Sequence, residues 1–331
     1  EDPLLGVTIA DQYVVDKCVG EGAMGRVYLA HHVRLTKRRF AMKVLLGDLA
    51  ADPTMRLRFA QEAEAASRLQ HPNVVPVLDF GTTDGGLHYL VMDFIEGGTL
   101  NDLIEKGPIS EKEAIEIAMQ ICHGLTHAHD QGLVHRDFKP DNVAIVSRDG
   151  KSIPLILDFG LAIISTPEET SVRLTSAGLV VGTPAYVSPE QCQGKPVDLG
   201  TDLFAFGVSL YEMVSGVLPF DGSVIELLYK NAMEQAPPIA ERSGIEVSAG
   251  LEAIIMRLMA KARADRFADA REVLAALEAI GSPARAVRRV AATSPVTSLA
   301  TTRAGTEDIM LASTQIDGPA LVVGAQADSQ V

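Results

Sequence analysis

Hydrophobic and polar positions change their period along the chain. Between residues 13 and 46, short β-favouring runs (Tyr13-Val14-Val15, Val27-Tyr28-Leu29 and Phe40 to Leu45) alternate with Gly-rich or basic turns, which predicts an antiparallel sheet. Asp52-Pro53 then supplies a capping acid and a first-turn proline for a helix to about Gln70. Two more strands fit 74–80 and 87–94. From Ser110 the period lengthens. Ser110-x-x-Glu113 reads as a capping box that opens an amphipathic helix running to Gln131, before Gly132. Further helical patterns fit 202–215, 223–234, 249–260 and 269–279. The pattern predicts an α+β chain with a small antiparallel-sheet lobe carrying one helix, residues 11–95. A larger, mainly helical lobe follows at 96–280, joined to it near Asp93 to Gly98.

Composition trims this picture at one end. After Phe267 there is no aromatic residue, and from Gly281 onward Ala, Ser, Thr and Gly dominate without a period. Residues 281–331 therefore read as a disordered tail and 11–280 as the folded unit. Four arginines in the tail balance four acids, so the net charge of −14 resides in residues 1–280. That acidity disfavours nucleic acid and anionic lipid surfaces as partners. No stretch approaches the ~18 apolar residues of a membrane span, and no leader pattern opens the chain, so a soluble cytoplasmic protein is expected. It starts at Glu1 without an initiator Met, which leaves room for a longer parent. Cys18, Cys122 and Cys192 lie far apart without a C-x-x-C pair and read as buried thiols in a reducing compartment.

Four features carry chemistry. Gly20-Glu21-Gly22-Ala23-Met24-Gly25 lets backbone approach phosphate oxygens, and strand-like residues on both sides favour a strand-turn-strand flap over a helix-opening dinucleotide fingerprint. An ordinary Gly-rich hairpin is the plain alternative. On the helix from Pro53, the stripe Met55, Phe59, Glu62, Ala66, Leu69 faces the core, so Glu62 places a carboxylate in an apolar face and requires a cation. Lys43, in the apolar strand from Phe40, is the candidate. His135-Arg136-Asp137-Phe138-Lys139-Pro140-Asp141-Asn142 packs ionisable groups between a helix end and the apolar run Val143 to Val146. Finally, Leu155-Ile-Leu-Asp158-Phe159-Gly160 is a buried strand ending in a carboxylate, and Asp158 with the Asn142 amide suits a hard cation.

Together with Gly182-Thr-Pro-Ala-Tyr-Val-Ser-Pro-Glu190, these motifs resemble the protein kinase signature set in order and spacing, over about residues 11–280. Lys139 and the Gly182–Glu190 wording resemble the Ser/Thr branch, in particular the eukaryotic-like kinases of bacteria. The resemblance implies a bilobal kinase fold and Mg²⁺-dependent transfer of the ATP γ-phosphoryl group to Ser/Thr hydroxyls of proteins. It implies that Gly20, Glu21, Gly22, Ala23 and Gly25 cover the phosphates, that Lys43 holds them, and that Glu62 orients Lys43. Asn142 and Asp158 would hold the metal, with Mn²⁺ as a substitute. Asp137 would take the substrate hydroxyl proton, and Lys139 would neutralise the transferring group. Val27, Ala41, Met92, Asp93, Ile95 and Ala144 would line the adenine slot. Asp202 would brace the catalytic loop, and Glu190 would pair with Arg266.

The same resemblance makes Thr175, with Ser176 next, the expected autophosphorylation site, pairing with Arg136, with a homodimer as the expected setting for its modification. In the tail, Thr306 to Ile309 and Thr314 to Asp317 resemble phosphothreonine sites read by forkhead-associated domains, although a hydroxyl-rich tail produces such matches by chance. His123, His127 and His129 could in principle bind zinc, but no carboxylate completes a zincin spacing. Two rival functions remain: a small-molecule kinase of the aminoglycoside type, which would lack the Gly182–Glu190 docking segment, and a catalytically dead scaffold.

Overall fold

The strand ending at Leu45 shows how the first sheet is built. Phe40, Met42 and Val44 are buried on one face while Ala41 and Lys43 are half-buried on the other, the period-2 alternation of a sheet with two unequal faces. In a computed structural model, which describes residues 2–22, 25–45, 53–159 and 183–281, this strand joins five others. The six are β1 (Thr8–Ile9), β2 (Tyr13–Gly22), β3 (Gly25–His32), the strand itself as β4 (Leu35–Leu45), β5 (Val77–Thr82) and β6 (His88–Asp93), in the order β1-β2-β3-β4-β6-β5, antiparallel throughout. Phe40, Met42 and Val44 pack with Tyr13, Tyr28, Tyr89 and Val91 on the closed face. All described residues fall in the first of two units, Glu1–Arg285; the expected tail lies outside the described residues.

Helix α1 (Pro53–Ser67) crosses this lobe. It ends three residues before the expected Gln70, and its stripe is as expected: Phe59, Ala66 and, just past the helix, Leu69 are buried, and so is Glu62. A second sheet was not anticipated. It comprises β7 (Gly98–Thr99), β8 (Val143–Arg148) and β9 (Lys151–Ile156), and β9 stops two residues short of Asp158. The helical half consists of α2 (Leu100–Ile104), α3 (Glu111–Asp130), α4 (Pro189–Cys192), α5 (Leu199–Ser215), α6 (Val224–Met233), α7 (Ile239–Ser243), α8 (Ala249–Leu258) and α9 (Ala270–Gly281). Nearly every residue of α5 is buried, so it forms the axis around which the larger core packs.

The start of α3 differs from the expected reciprocal box. Ser110 Oγ does accept from the Glu113 N–H, but Ser152 on β9 donates its hydroxyl to the Glu113 carboxylate at 2.8 Å, so a tertiary partner takes the acid that would have closed the box. Segment 73–75 also leaves the first lobe. Val75 N–H donates to Ile156 O and Ile156 N–H to Asn73 O, both at 2.9 Å, while Asn73 Nδ2 donates to Pro154 O at 3.0 Å. The thiols differ from expectation as well. Cys122 is buried, Cys192 is partly buried, and Cys18 is exposed within β2, at the register shift before Gly20, its Sγ beside Gly20 O.

Candidate active site

Gly20↔Val27, Glu21↔Arg26 and Gly22↔Gly25 are register partners, so the glycines form a β2–β3 hairpin, as the flap reading requires. Ala23 and the tip lie outside the described residues. Two of the glycines serve different needs. A Cβ on Gly25 would stand 2.0 Å from Val44 O, whereas one on Gly20 would meet nothing within 4 Å. Gly25 lets β3 lie against β4; Gly20 keeps the open side of the flap clear. Arg26 clasps the hairpin, with Nη2 donating to Glu21 Oε1 at 3.2 Å and Nη1 to Asp2 Oδ2 at 3.3 Å.

Beneath the flap, β4 and β6 bring Ala41 opposite Met92, and β3 and β4 bring Val27 opposite Lys43. Met92 and Ala144 belong to one buried cluster, against which Ala41 and Ile95 pack, so the first sheet and the second meet around these side chains. Val27 lies outside that cluster, on β3 beside Lys43. Asp93 is held by Arg38 at 2.9 Å, an exposed pair worth little to stability.

The expected ion pair between Lys43 and Glu62 does not occur among the described residues. Lys43 Nζ donates instead to Asp158 Oδ2 at 2.9 Å. Both partners of that pair keep some hydration, 15% and 24% of their side-chain surface, and Glu62 lies buried on α1. The charge of Glu62 is felt at Arg136. Burial depresses the Arg136 guanidinium, and the carboxylates of Glu62 and Asp202 oppose that shift.

The loop from His135 to Asn142 is held from below. Asp202, fully buried on α5, accepts the His135 N–H at 2.7 Å and the Arg136 N–H at 2.8 Å, and His129 Nε2 lies 2.8 Å from the same carboxylate. The brace read for Asp202 is therefore present. His129 belongs to it; among the described residues no group of three or more His, Cys, Asp or Glu side chains is placed to hold a metal ion. His135, itself buried, sets Nε2 2.8 Å from Leu157 O and packs edge-on against Phe138 and Phe159. This ties the loop to the segment that carries Asp158.

Within the loop, Asn142 Nδ2 donates to Asp137 O at 2.8 Å and to Asp137 Oδ2 at 3.2 Å, and Lys139 Nζ lies 3.3 Å from the same Oδ2. The Asp137 side chain stays half exposed, aimed and still accessible. With its nitrogen so engaged, Asn142 has its amide oxygen left as a donor atom. Together with the Asp158 carboxylate this is an all-oxygen set that fits a magnesium ion. Arg136 and Asp158 both hold left-handed backbone, φ 67° and 58°, conformations that cost about 1–3 kcal/mol each and concentrate at functional sites.

Further out, Arg266 Nη1 and Nη2 each donate to a different oxygen of Glu190 at 2.8 Å, the expected pair, and Thr201 Oγ1 adds a bond to Glu190 Oε1. Sequence reasoning missed Gln191, whose Nε2 donates to Arg136 O at 2.9 Å; the Ser188-x-x-Gln191 capping box was its legible signal. Thr175 and Ser176 lie outside the described residues.

A glycine flap and a lysine on a small sheet, set over a helical lobe that presents Asp137, Asn142 and Asp158, make up the architecture of a protein kinase. The chain belongs to the family described as the protein kinase domain, which it matches over residues 13–276. It is 38% identical to the serine/threonine-protein kinase pkn3 of Myxococcus xanthus, over 86% of this chain and 52% of that protein. It is 38% identical to the serine/threonine-protein kinase PknB of Mycobacterium tuberculosis, over 81% of this chain and 43% of that protein. The chain thus spans about half the length of the curated relatives it matches. The crystal structure of the Mycobacterium tuberculosis PknI kinase domain superposes with a TM-score of 0.64 at 31% identity, covering 82% of this chain and 97% of that one. No helix among the described residues is long and apolar enough to cross a membrane.

Proposed function

We propose that the chain transfers the γ-phosphoryl group of Mg-ATP to Ser/Thr hydroxyls of proteins. The observation that carries this reading is the Asp137 carboxylate, fixed by Asn142 and Lys139 on a loop whose backbone is bonded to a buried aspartate. Asp137 Oδ2 takes the proton of the incoming hydroxyl, a contribution of about 10²–10⁴-fold for a positioned general base. Lys139, beside it, offsets charge on the moving phosphoryl group. Lys43 reaches the nucleotide phosphates from β4, and the apolar slot around Ala41, Met92, Ile95 and Ala144 takes the base. Glu62 belongs to the same machinery as the acid of α1 that orients Lys43 once that lysine leaves Asp158. Bound magnesium, held by Asn142 and Asp158, would neutralise the phosphate oxygens.

Three features of the reading concern residues outside those described: autophosphorylation at Thr175 or Ser176, a homodimer that performs it, and capture of the phosphorylated tail by a forkhead-associated domain. A cytoplasmic setting rests on the sequence. The Pro184–Glu190 segment, held by Arg266 at Glu190 and by Asn231 at the Pro184 and Ala185 carbonyls, favours a protein substrate over a small molecule. Radiolabelled γ-phosphate transfer by wild type, Lys43→Met and Asp137→Asn tests the proposal. Transfer by wild type alone is expected; equal signal in all three would overturn it.

A further inference from the structure

Gln191 sits between two backbone groups of opposite polarity. Its Oε1 accepts from the Ser188 N–H at 3.0 Å and from the Ser188 hydroxyl at 3.0 Å, closing a reciprocal capping box on α4. Its Nε2 donates to the Arg136 carbonyl at 2.9 Å. Because one neighbour is an amide N–H and the other a carbonyl, the orientation of the side-chain amide is fixed: turning it over would face donor with donor and acceptor with acceptor. A carboxylate could cap Ser188 but not donate to Arg136, and a lysine could donate but not cap. Only an amide of this length does both.

The carbonyl it holds belongs to the peptide bond that leads into Asp137. Arg136 is in left-handed backbone at φ 67°, its N–H is fixed by Asp202 Oδ1 at 2.8 Å, and the Asp137 N–H points to His135 Nδ1 at 3.3 Å. Without Gln191 the Arg136–Asp137 peptide loses the partner of its carbonyl, and nothing else described here bonds that oxygen. The helix that carries Gln191 is itself immobilised through the neighbouring Glu190, bonded to Arg266 and Thr201.

We infer that Gln191 is a positioning residue for Asp137: it sets the plane of the peptide entering the base and couples the end of the substrate-docking segment to the catalytic loop. This rests on the kinase reading above. The test is the isosteric exchange Gln191→Glu, which keeps the cap and removes the donor, with the same change at the exposed Gln193 as control. Steady-state transfer to myelin basic protein is expected to show kcat reduced about 10-fold or more, since small displacements of a reacting group are costly. The KM for ATP should stay within about 2-fold of wild type and the melting temperature within about 2 °C. Hydrogen–deuterium exchange should accelerate in peptides spanning 133–142, and Gln193→Glu should move none of these. Wild-type kcat in Gln191→Glu would overturn the inference, as would a loss of protection spread evenly over the domain. An inactive wild type would instead overturn the kinase reading, and is distinguishable because in the other failures the wild type turns over.

Discussion

Lys43 Nζ lies 2.9 Å from Asp158 Oδ2, so the cation of β4 and the carboxylate that follows β9 neutralise one another across the cleft. In the proposed reaction each has another partner, phosphate for the lysine and metal for the aspartate. Binding of Mg-ATP must therefore exchange one ion pair for two. Asp158→Asn is expected to remove most of the gain in nucleotide affinity that magnesium provides, about 10-fold or more. Calorimetric titration with and without the metal measures it, and an undiminished metal gain in the variant would count against the assignment.

Gly25 and Gly20 separate structure from chemistry in the flap. Gly25→Ala places a methyl group 2.0 Å from Val44 O, a backbone atom that cannot step aside, and overpacking of this kind costs about 1–3 kcal/mol or more. Gly20→Ala meets nothing within 4 Å. The expected outcome is a clear fall in melting temperature for Gly25→Ala alone, with Gly20→Ala changing the KM for ATP while leaving stability as it was.

The Glu190–Arg266 pair is buried, with 12% and 0% of the side-chain surface exposed. Burial pushes the Glu190 carboxyl up, but hydrogen bonds and charge from Arg266 outweigh it and hold the group below its ordinary 4.5. A carboxylate depressed on folding stabilises above its unfolded value and loses that contribution as pH falls through the folded one, so the acid limb of stability should steepen below about 4.5. Arg266→Met leaves Glu190 charged and buried without its cation. A loss of about 3–5 kcal/mol is expected in denaturant unfolding, and a loss under 1 kcal/mol would mean that the pair is ornamental.

His71 titrates in the opposite range. Its ring stacks on His127 at 5.3 Å, its Nδ1 accepts the Asn73 N–H at 3.1 Å, and His127 Nε2 accepts the Gln70 N–H at 3.2 Å. Burial, then the charges of His127 and His123, lower the His71 pKa from its ordinary 6.5. The folded chain therefore binds fewer protons at His71 than the unfolded chain. Stability from this site is complete above about 6.5 and declines as pH falls toward the lower folded value. His71→Asn, whose amide oxygen can still accept from Asn73, is expected to flatten the melting-temperature profile between pH 5.5 and 7. An unchanged slope would place the sensitivity elsewhere.

Helical periodicity made the buried stripe of Phe59, Glu62, Ala66 and Leu69 legible, because a 3.6-residue repeat needs no tertiary knowledge. Strand β7 and helix α2 were not legible: two and five residues are too few for a period to register. The Glu113 carboxylate was read locally but is claimed by Ser152 from 39 positions away, and sequence windows do not see such competitors. The average habit of its residue type places Cys18 inside; its position within β2, at an irregularity in the pairing with β3, leaves it outside. Glu190 and Arg266 are 76 positions apart, so family resemblance alone joined them before the structure did. Glu62 was rightly placed in an apolar face, yet Lys43 bonds Asp158 from 115 positions away, a partner that helical spacing does not encode.

The chain crosses between its halves at residues 94–98, and segment 73–75 bonds the first half to β9 a second time. These two backbone attachments define a line. Sliding of one half over the other, or rotation across that line, would break the Asn73 and Val75 bonds, whereas rocking about it leaves them intact. The mechanics of the cleft thus reduce to a single angle, like a door hung on two pins, and changes at Asn73 should alter how that angle is sampled without touching a group that meets nucleotide.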